Sequence, residues 1–389
     1  MQKMAEEQFD NQEELRLTDL RQKIRKDPHN FIMSWMEKNL LHVGQRVMKL
    51  LSLQPCSLIL PDIPFNSSNV RASFNILFLA PPSAGKSTCC KKYEQILIGE
   101  CEATYNPYSI RKVTSAKLSE DLASFNLFTL ILEDFSQIGN DYDVVKVIEG
   151  AVGDEKNIRK STMREEINKV TQGVGLMCGT WSDLSRYLEY FKTGLLFRFV
   201  LLFLDLTSNQ KEEIGRYINS GINNKTDSTD TFLKDRVVRE YYEELFKIMG
   251  GKHEKIEQIK GYYFSEHIKS EIYNLWLSIV NDLEKDFNGK IEFQFNRELH
   301  EAYRFLISSA LLNVFNRKID NGIIHPKEHD LNLAKDIMIE NLRNKVAILK
   351  SRLFLSRINN LEEFSKVMKS NLSPIVKNVL SNLAISRFK

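Results

Sequence analysis

With 389 residues, 42% hydrophobic and 27% charged, the chain has the composition of a soluble protein with room for two or three domains, and no special compositional class is indicated. A formal net charge of +3 does not by itself announce a nucleic-acid binder, and no apolar run approaches the roughly 18 residues of a membrane span, since even Leu195 to Leu206 is interrupted by Arg198 and Asp205. The five cysteines form no Cys-x-x-Cys pair and lie in or near apolar stretches, which supports neither a zinc site nor a disulfide framework and predicts a reducing, cytoplasmic setting.

The charged opening AEEQFDNQEELR predicts a chain without a signal peptide. Up to about Leu53 the apolar positions recur at helical spacing, with Asp27-Pro28 as a break, and QPCSLILPDIPFNSSN is expected to be a loop leading to the first strand. From Phe74 the pattern alternates strand and helix, with apolar runs at Asn75–Ala80, Leu127–Leu132, Val174–Gly179 and Phe199–Leu206. That alternation predicts a parallel sheet sandwiched by helices. The polar stretch NSGINNKTDSTD marks a boundary or surface loop, and almost everything after it reads as helix. The expected segments are residues 1–70, helical; 71–225, the α/β core; 226–345, a helical lid; and 346–389, a basic tail.

Within the core, FNILFLAPPSAGKST (Phe74 to Thr88) is an apolar run feeding a small-residue loop that ends Gly-Lys-Ser-Thr. Such a loop wraps backbone N–H groups around phosphate, so Ala80, Pro81, Pro82, Ser83, Ala84, Gly85, Lys86, Ser87 and Thr88 are the candidate binding segment. Lys86 is expected to reach the β/γ oxygens and Ser87 to ligate Mg²⁺, which makes ATP with Mg²⁺ the expected ligand. LILEDF is an apolar strand ending in two acids, of which Glu133 is assigned to the metal and Asp134 to the attacking water. GVGLMCGTW ends in Thr180, expected beside the other strand ends, and in GLLFRFVLLFLDL the residue before the strand is Arg198, placed to stabilise charge on a neighbouring subunit's phosphoryl group.

In this order the parts resemble the AAA+ class, and specifically the MCM (minichromosome maintenance)-like helicases, over roughly Phe74 to Met338. APPSAGKS resembles that family's phosphate loop, EDF its Asp-Glu-Phe with the acids exchanged, and LLFRF its Leu-Leu-Ser-Arg-Phe, which makes Arg198 the finger. RELHEAYRFLISSALL resembles the lid helix that opens with a sensor arginine, suggesting Arg297, with Arg304 as a second basic residue. The chain differs from the family at Ala80, in its exchanged acids and at Thr180, which stands where the family has Asn.

The resemblance also implies a hairpin within DEKNIRKSTMREEINKV that projects into a central channel, with Lys160, Arg159 and Arg164 gripping DNA phosphates; a solvated charged hairpin is the alternative. The tail, which carries ten Lys and Arg from Asn341 onward against Glu362 and Glu363, has the rhythm of a helix-turn-helix. Its second helix, capped by Ser373 and opened by Pro374, is expected to show Lys377 and Asn378 to DNA, unless it is only a small packing unit. Together these imply an ATP-hydrolysing, hexameric MCM-like helicase acting on single-stranded or forked DNA in replication of a chromosome or mobile element. It is expected in the cytoplasm, associated with the nucleoid, or in the host cytoplasm if viral or plasmid-encoded. The competing expectations are an ATP-dependent switch or loader that recruits replication proteins, and a non-hydrolysing scaffold.

Overall fold

The computed structural model describes residues 2–37, 45–65, 68–82, 84–97, 107–109, 114–134, 138, 142–152, 157–161, 166–170, 172–180, 198–204, 208–221, 228–286, 296–357, 361–370, 372 and 374–387. The chain opens with helices α1 (Gln2–Lys26), α2 (Pro28–Glu37) and α3 (Gln45–Ile59) and a small antiparallel hairpin of β1 (Ile63–Phe65) and β2 (Ser68–Val70). The core follows as β3 (Asn75–Leu79), α4 (Lys86–Leu97), β4 (Pro107–Ser109), α5 (Ser115–Ala123), β5 (Leu127–Leu132) and α6 (Tyr142–Val152). A second hairpin, β6 (Asn157–Ser161) and β7 (Glu166–Val170), then leads into β8 (Gln172–Gly179), β9 (Phe199–Phe203) and α7 (Ser208–Gly221). The remainder comprises α8 (Ser228–Met249), β10 (Gly261–Tyr262), α9 (Glu266–Asp286), α10 (Asn296–Leu312), β11 (Ile323–Ile324), α11 (Glu328–Arg357), α12 (Leu361–Lys369) and α13 (Pro374–Arg387).

Five strands form one parallel sheet in the order β4-β5-β8-β3-β9, flanked by helices on both faces. A parallel sheet covered on both sides needs strands that are apolar throughout, and β3 is buried at every position. Successive residues feed opposite faces. Ile76, Phe78, Leu176, Cys178, Val200 and Leu202 join the cluster that contains α3, α4, α8 and α10. Leu77, Leu79, Leu130, Leu132, Phe199 and Leu201 join a second cluster with α5, α6 and α13. The first cluster also takes in Leu17, Ile32 and Leu51 from the opening helices and Leu306 and Leu342 from α10 and α11, so residues on both sides of positions 70 and 225 share one core.

The expected loop after Leu53 is instead helix to Ile59, despite Pro55 within it. Leu53, Cys56 and Leu58 are buried there, and the Ser52 carbonyl close to the proline accepts the Tyr242 hydroxyl at 2.6 Å. Burial of that apolar face offsets the helix bond that proline cannot make to the Leu51 carbonyl. The expected break at Asp27-Pro28 is present: Asp27 caps α2 by accepting from Asn30 N–H at 3.2 Å, and Pro28 occupies the first helical position.

The long helix α11 passes the outer side of β9 and closes it with two amides. Asn341 Oδ1 accepts from Leu201 N–H at 2.9 Å, and Asn344 Nδ2 donates to the Leu201 carbonyl at 2.7 Å. One position on, Lys345 is wholly buried and meets Glu298 Oε1 at 2.9 Å and Glu301 Oε2 at 3.4 Å, both from α10. Burial raises the Glu301 carboxyl to about 7 even with the Lys345 charge beside it.

A second buried polar cluster joins α2, α10 and α11. His29 Nε2 lies 3.1 Å from Ser309 Oγ, whose hydroxyl donates to Asp330 Oδ1 at 2.6 Å, while Arg317 meets Asp330 Oδ2 at 2.5 Å. Burial lowers the His29 imidazole to about 4, against the pull of Asp330. Burial opposes ionisation of Asp330 as well, but hydrogen bonding from His329 and the Arg317 charge hold it below the usual carboxylate range. Between pH 6.5 and 4 the unfolded chain therefore binds a proton at His29 that the folded chain refuses, so stability is full above pH 6.5 and lost as pH falls. The loss is expected to reach about 3 kcal/mol by urea titration across that window, and His29→Gln should flatten the slope while leaving the Asp330 component at lower pH.

Among the described residues no helix is long and apolar enough to cross a membrane.

Candidate functional site

β3 delivers the chain to the loop in a defined register. The Ala80 N–H donates to the Gly179 carbonyl at 3.1 Å, so the ladder with β8 continues one residue past the strand. The Ala84 N–H then closes a turn on the Pro81 carbonyl at 3.3 Å, and Gly85 has a φ of 87°, which a Cβ would strain. From Gly85, whose carbonyl accepts the Cys89 N–H at 2.9 Å, the chain enters α4. The first N–H groups of a helix have no acceptor inside it and sit at the positive end of its dipole, so the start of α4 is suited to an anion.

The Lys86 ammonium turns back over this loop, donating to the Ala80 carbonyl at 2.9 Å and the Pro81 carbonyl at 2.8 Å. Neutral carbonyls are weaker partners for an ammonium than phosphate oxygens are. Ser87 and Thr88 are exposed at the helix start; Ser83 lies outside the described residues.

The two acids arrive at the same edge. Leu132 is level with Met177 and Met177 with Leu77, so two residues further Asp134 comes level with Gly179 and Leu79. β5 and β3 are separated only by β8, a spacing of about 10 Å, and Thr180 at the end of β8 stands in that interval. α4 packs on β8 through Cys90 and Cys178, whose sulfurs are 3.5 Å apart. The Cys178 contact, burial and the nearby charge of Glu133 together push the Cys90 thiol up, so it stays protonated and inert. Glu133, Asp134 and Thr180 are all partly buried at this edge.

Among the described residues no three His, Cys, Asp or Glu side chains group to hold a metal by themselves. Mg²⁺ usually takes one or two protein ligands and completes its shell with phosphates and water, so the Ser87 hydroxyl and the Glu133 carboxylate suit a cation that arrives with a phosphate ligand.

Arg198 stands at the other end of the sheet. It precedes β9, whose five residues place it about 16 Å from the loop edge, beyond the reach of its own side chain. Its Nη1 meets Glu149 Oε1 at 2.6 Å, and its carbonyl accepts from Asn75 Nδ2 at 3.1 Å. Arg304 is also at this end, its Nε donating to the Arg71 carbonyl at 2.8 Å, while Arg297 is partly buried in the first turn of α10. The β6–β7 hairpin leaves from the same end, between α6 and the start of β8, with Arg159 opposite Asn168 and Lys160 opposite Ile167. Arg164 lies outside the described residues. In the tail, Lys377 and Asn378 are partly buried on α13, whose Val376, Val379, Leu380 and Ala384 belong to the core of the second face.

The structure thus brings Lys86, Ser87, Glu133, Asp134 and Thr180 to one edge and puts Arg198 and the hairpin at the opposite one. No family model matches the chain, and no curated protein matches it in sequence.

Two residues that sequence reasoning missed organise the Arg198 end. Asn75 donates to the Val152 carbonyl at 2.9 Å as well as to Arg198, and its Oδ1 accepts from Gly175 N–H at 2.9 Å. Its signal was a lone amide opening an apolar strand. Glu149 pairs with Lys146 at 2.9 Å besides Arg198, and nothing in its surrounding sequence marked it.

Proposed function

We propose that the chain is an AAA+ nucleoside triphosphatase of the MCM-like kind, which binds ATP with Mg²⁺ and assembles as a ring that moves on DNA. The observation that carries this reading is the division of the sheet. The phosphate-binding loop, both acids and Thr180 share one edge, while the arginine expected to complete the site lies at the other, out of reach of its own loop.

In this reading Lys86 and the start of α4 hold the β- and γ-phosphates. Ser87 and Glu133 hold Mg²⁺, Asp134 orients water for in-line attack, and Thr180 bonds the γ-phosphate or that water. Arg198 of a neighbouring copy stabilises the charge that develops on the transferred phosphoryl group. The sheet end with Arg198 therefore faces the loop end of the next copy, a head-to-tail contact that closes into a ring when the rotation allows. Arg159 and Lys160 of the hairpin supply the DNA phosphate contacts. Partial burial of α13 favours the hairpin over Lys377 and Asn378 for that role.

The test is ATP turnover at rising protein concentration, with and without single-stranded DNA, for the wild-type chain and Arg198→Ala. Specific activity that climbs with concentration, is stimulated by DNA and falls about 10³-fold in Arg198→Ala supports the assignment. Activity independent of concentration and unaffected by Arg198→Ala overturns the composite site. Turnover that leaves a forked duplex intact favours a switch or loader over a helicase.

A further inference from the structure

Arg198 is held on three sides. Its backbone carbonyl is fixed by Asn75, its Nη1 is 2.6 Å from Glu149 Oε1, and the same Nη1 lies 3.5 Å from the Glu149 carbonyl. The pair is largely out of solvent, with the side chains 20% and 10% exposed. Yet the guanidinium is incompletely used, since its buried Nε has no hydrogen-bond partner among the described residues.

Glu149 is itself unusually placed. It lies near the C-terminal end of α6, where the helix dipole disfavours a carboxylate, and is stabilised there by Arg198 and by Lys146. Immediately after it, the Val152 carbonyl is tied to Asn75, and the β6–β7 hairpin begins a few residues on. Arg198, the end of α6 and the base of the hairpin therefore form one connected group.

We propose that Glu149 is a positioning residue that latches Arg198 to its own subunit until the triphosphate of a neighbouring copy competes for the guanidinium. This rests on the function proposed above. In this proposal Arg198 must swing away from Glu149 to reach a phosphate outside its own subunit, so the carboxylate and the phosphate compete for it. When Arg198 leaves, Glu149 keeps only Lys146 among the described residues, so the end of α6 and the hairpin base lose one of their anchors. The latch thereby links occupancy of one subunit's loop to the hairpin of the next.

The experiment compares the protein concentration giving half-maximal specific ATPase activity in the wild-type chain, Glu149→Gln and Glu149→Asp. Gln removes the competing charge, and Asp withdraws it by one methylene. Far-UV circular dichroism and thermal melting establish that each variant is folded, and Glu149→Asp carries the test if Glu149→Gln is not. The expected result is a midpoint roughly tenfold lower than wild type, a coupling of ordinary allosteric size. A lowered melting temperature with an unchanged midpoint overturns the latch and leaves Glu149 a structural residue. A wild-type chain whose turnover is absent, or does not depend on concentration, overturns the proposed function itself, and the latch with it; that outcome is read from the wild type alone.

Discussion

Lys86→Ala is expected to weaken binding of ATP with Mg²⁺ by about 10- to 100-fold, the value of one or two hydrogen bonds from a charged donor. Phosphate release should fall further, by about 10²- to 10³-fold, because the lysine also faces charge that grows on the transferred group. Folding should be little affected. The ammonium bonds to the Ala80 and Pro81 carbonyls at a partly exposed site, where water can replace it. Titration with a fluorescent ATP analogue, phosphate release and a urea melt separate the three effects. Undiminished turnover in Lys86→Ala would place the reaction away from this loop.

Lys345→Met is expected to have the largest effect on stability, about 3–5 kcal/mol by urea unfolding at pH 8. Lys345, Glu298 and Glu301 are all withdrawn from water, and Glu298 Oε2 has no hydrogen-bond partner among the described residues. Without the ammonium, two carboxylates are left facing each other in the core. Glu301, which burial already raises, then favours its protonated form more strongly in the folded state, so above the ordinary carboxylate range the folded chain binds more protons than the unfolded one. The deficit must therefore grow as pH rises and shrink toward pH 5. Glu298→Gln with Glu301→Gln in the Lys345→Met background should recover most of the loss, since neutralising a whole buried cluster costs far less than breaking it. A deficit that does not vary with pH would mean the lysine acts through packing alone.

The central strands were legible because a parallel sheet covered on both faces demands runs that are apolar throughout, and Asn75–Leu79, Leu127–Leu132 and Phe199–Phe203 have no competing reading of that length. The position of Gly85 and Lys86 between β3 and α4, and of Glu133 and Asp134 just after β5, was legible from the same alternation of apolar runs and polar segments. The hairpin position within 154–170 was also anticipated, through the resemblance rather than through its residues. What stayed hidden depends on partners distant along the chain. RELHEAYR was read for its arginines, whereas Glu298 and Glu301 face a lysine on α11 and Arg304 bonds a carbonyl beside the β1–β2 hairpin. Helix α3 continues through Pro55 because its apolar face is buried against distant elements such as α8, which no local pattern reveals. Glu149 likewise acquires its meaning only when β9 brings Arg198 alongside it.

The asparagine pair of α11 bears on how copies of this protein can meet. A strand at the border of a sheet ordinarily offers its backbone to any extended peptide, which is the route to swapped and fibrous assemblies. At Leu201 both backbone groups are already engaged by Asn341 and Asn344, so an incoming strand would have to evict a buried helix before gaining its first bond. Strand addition at the middle of β9 is thus blocked, which leaves contacts between side chains of folded units as the mode of association there that does not open the sheet.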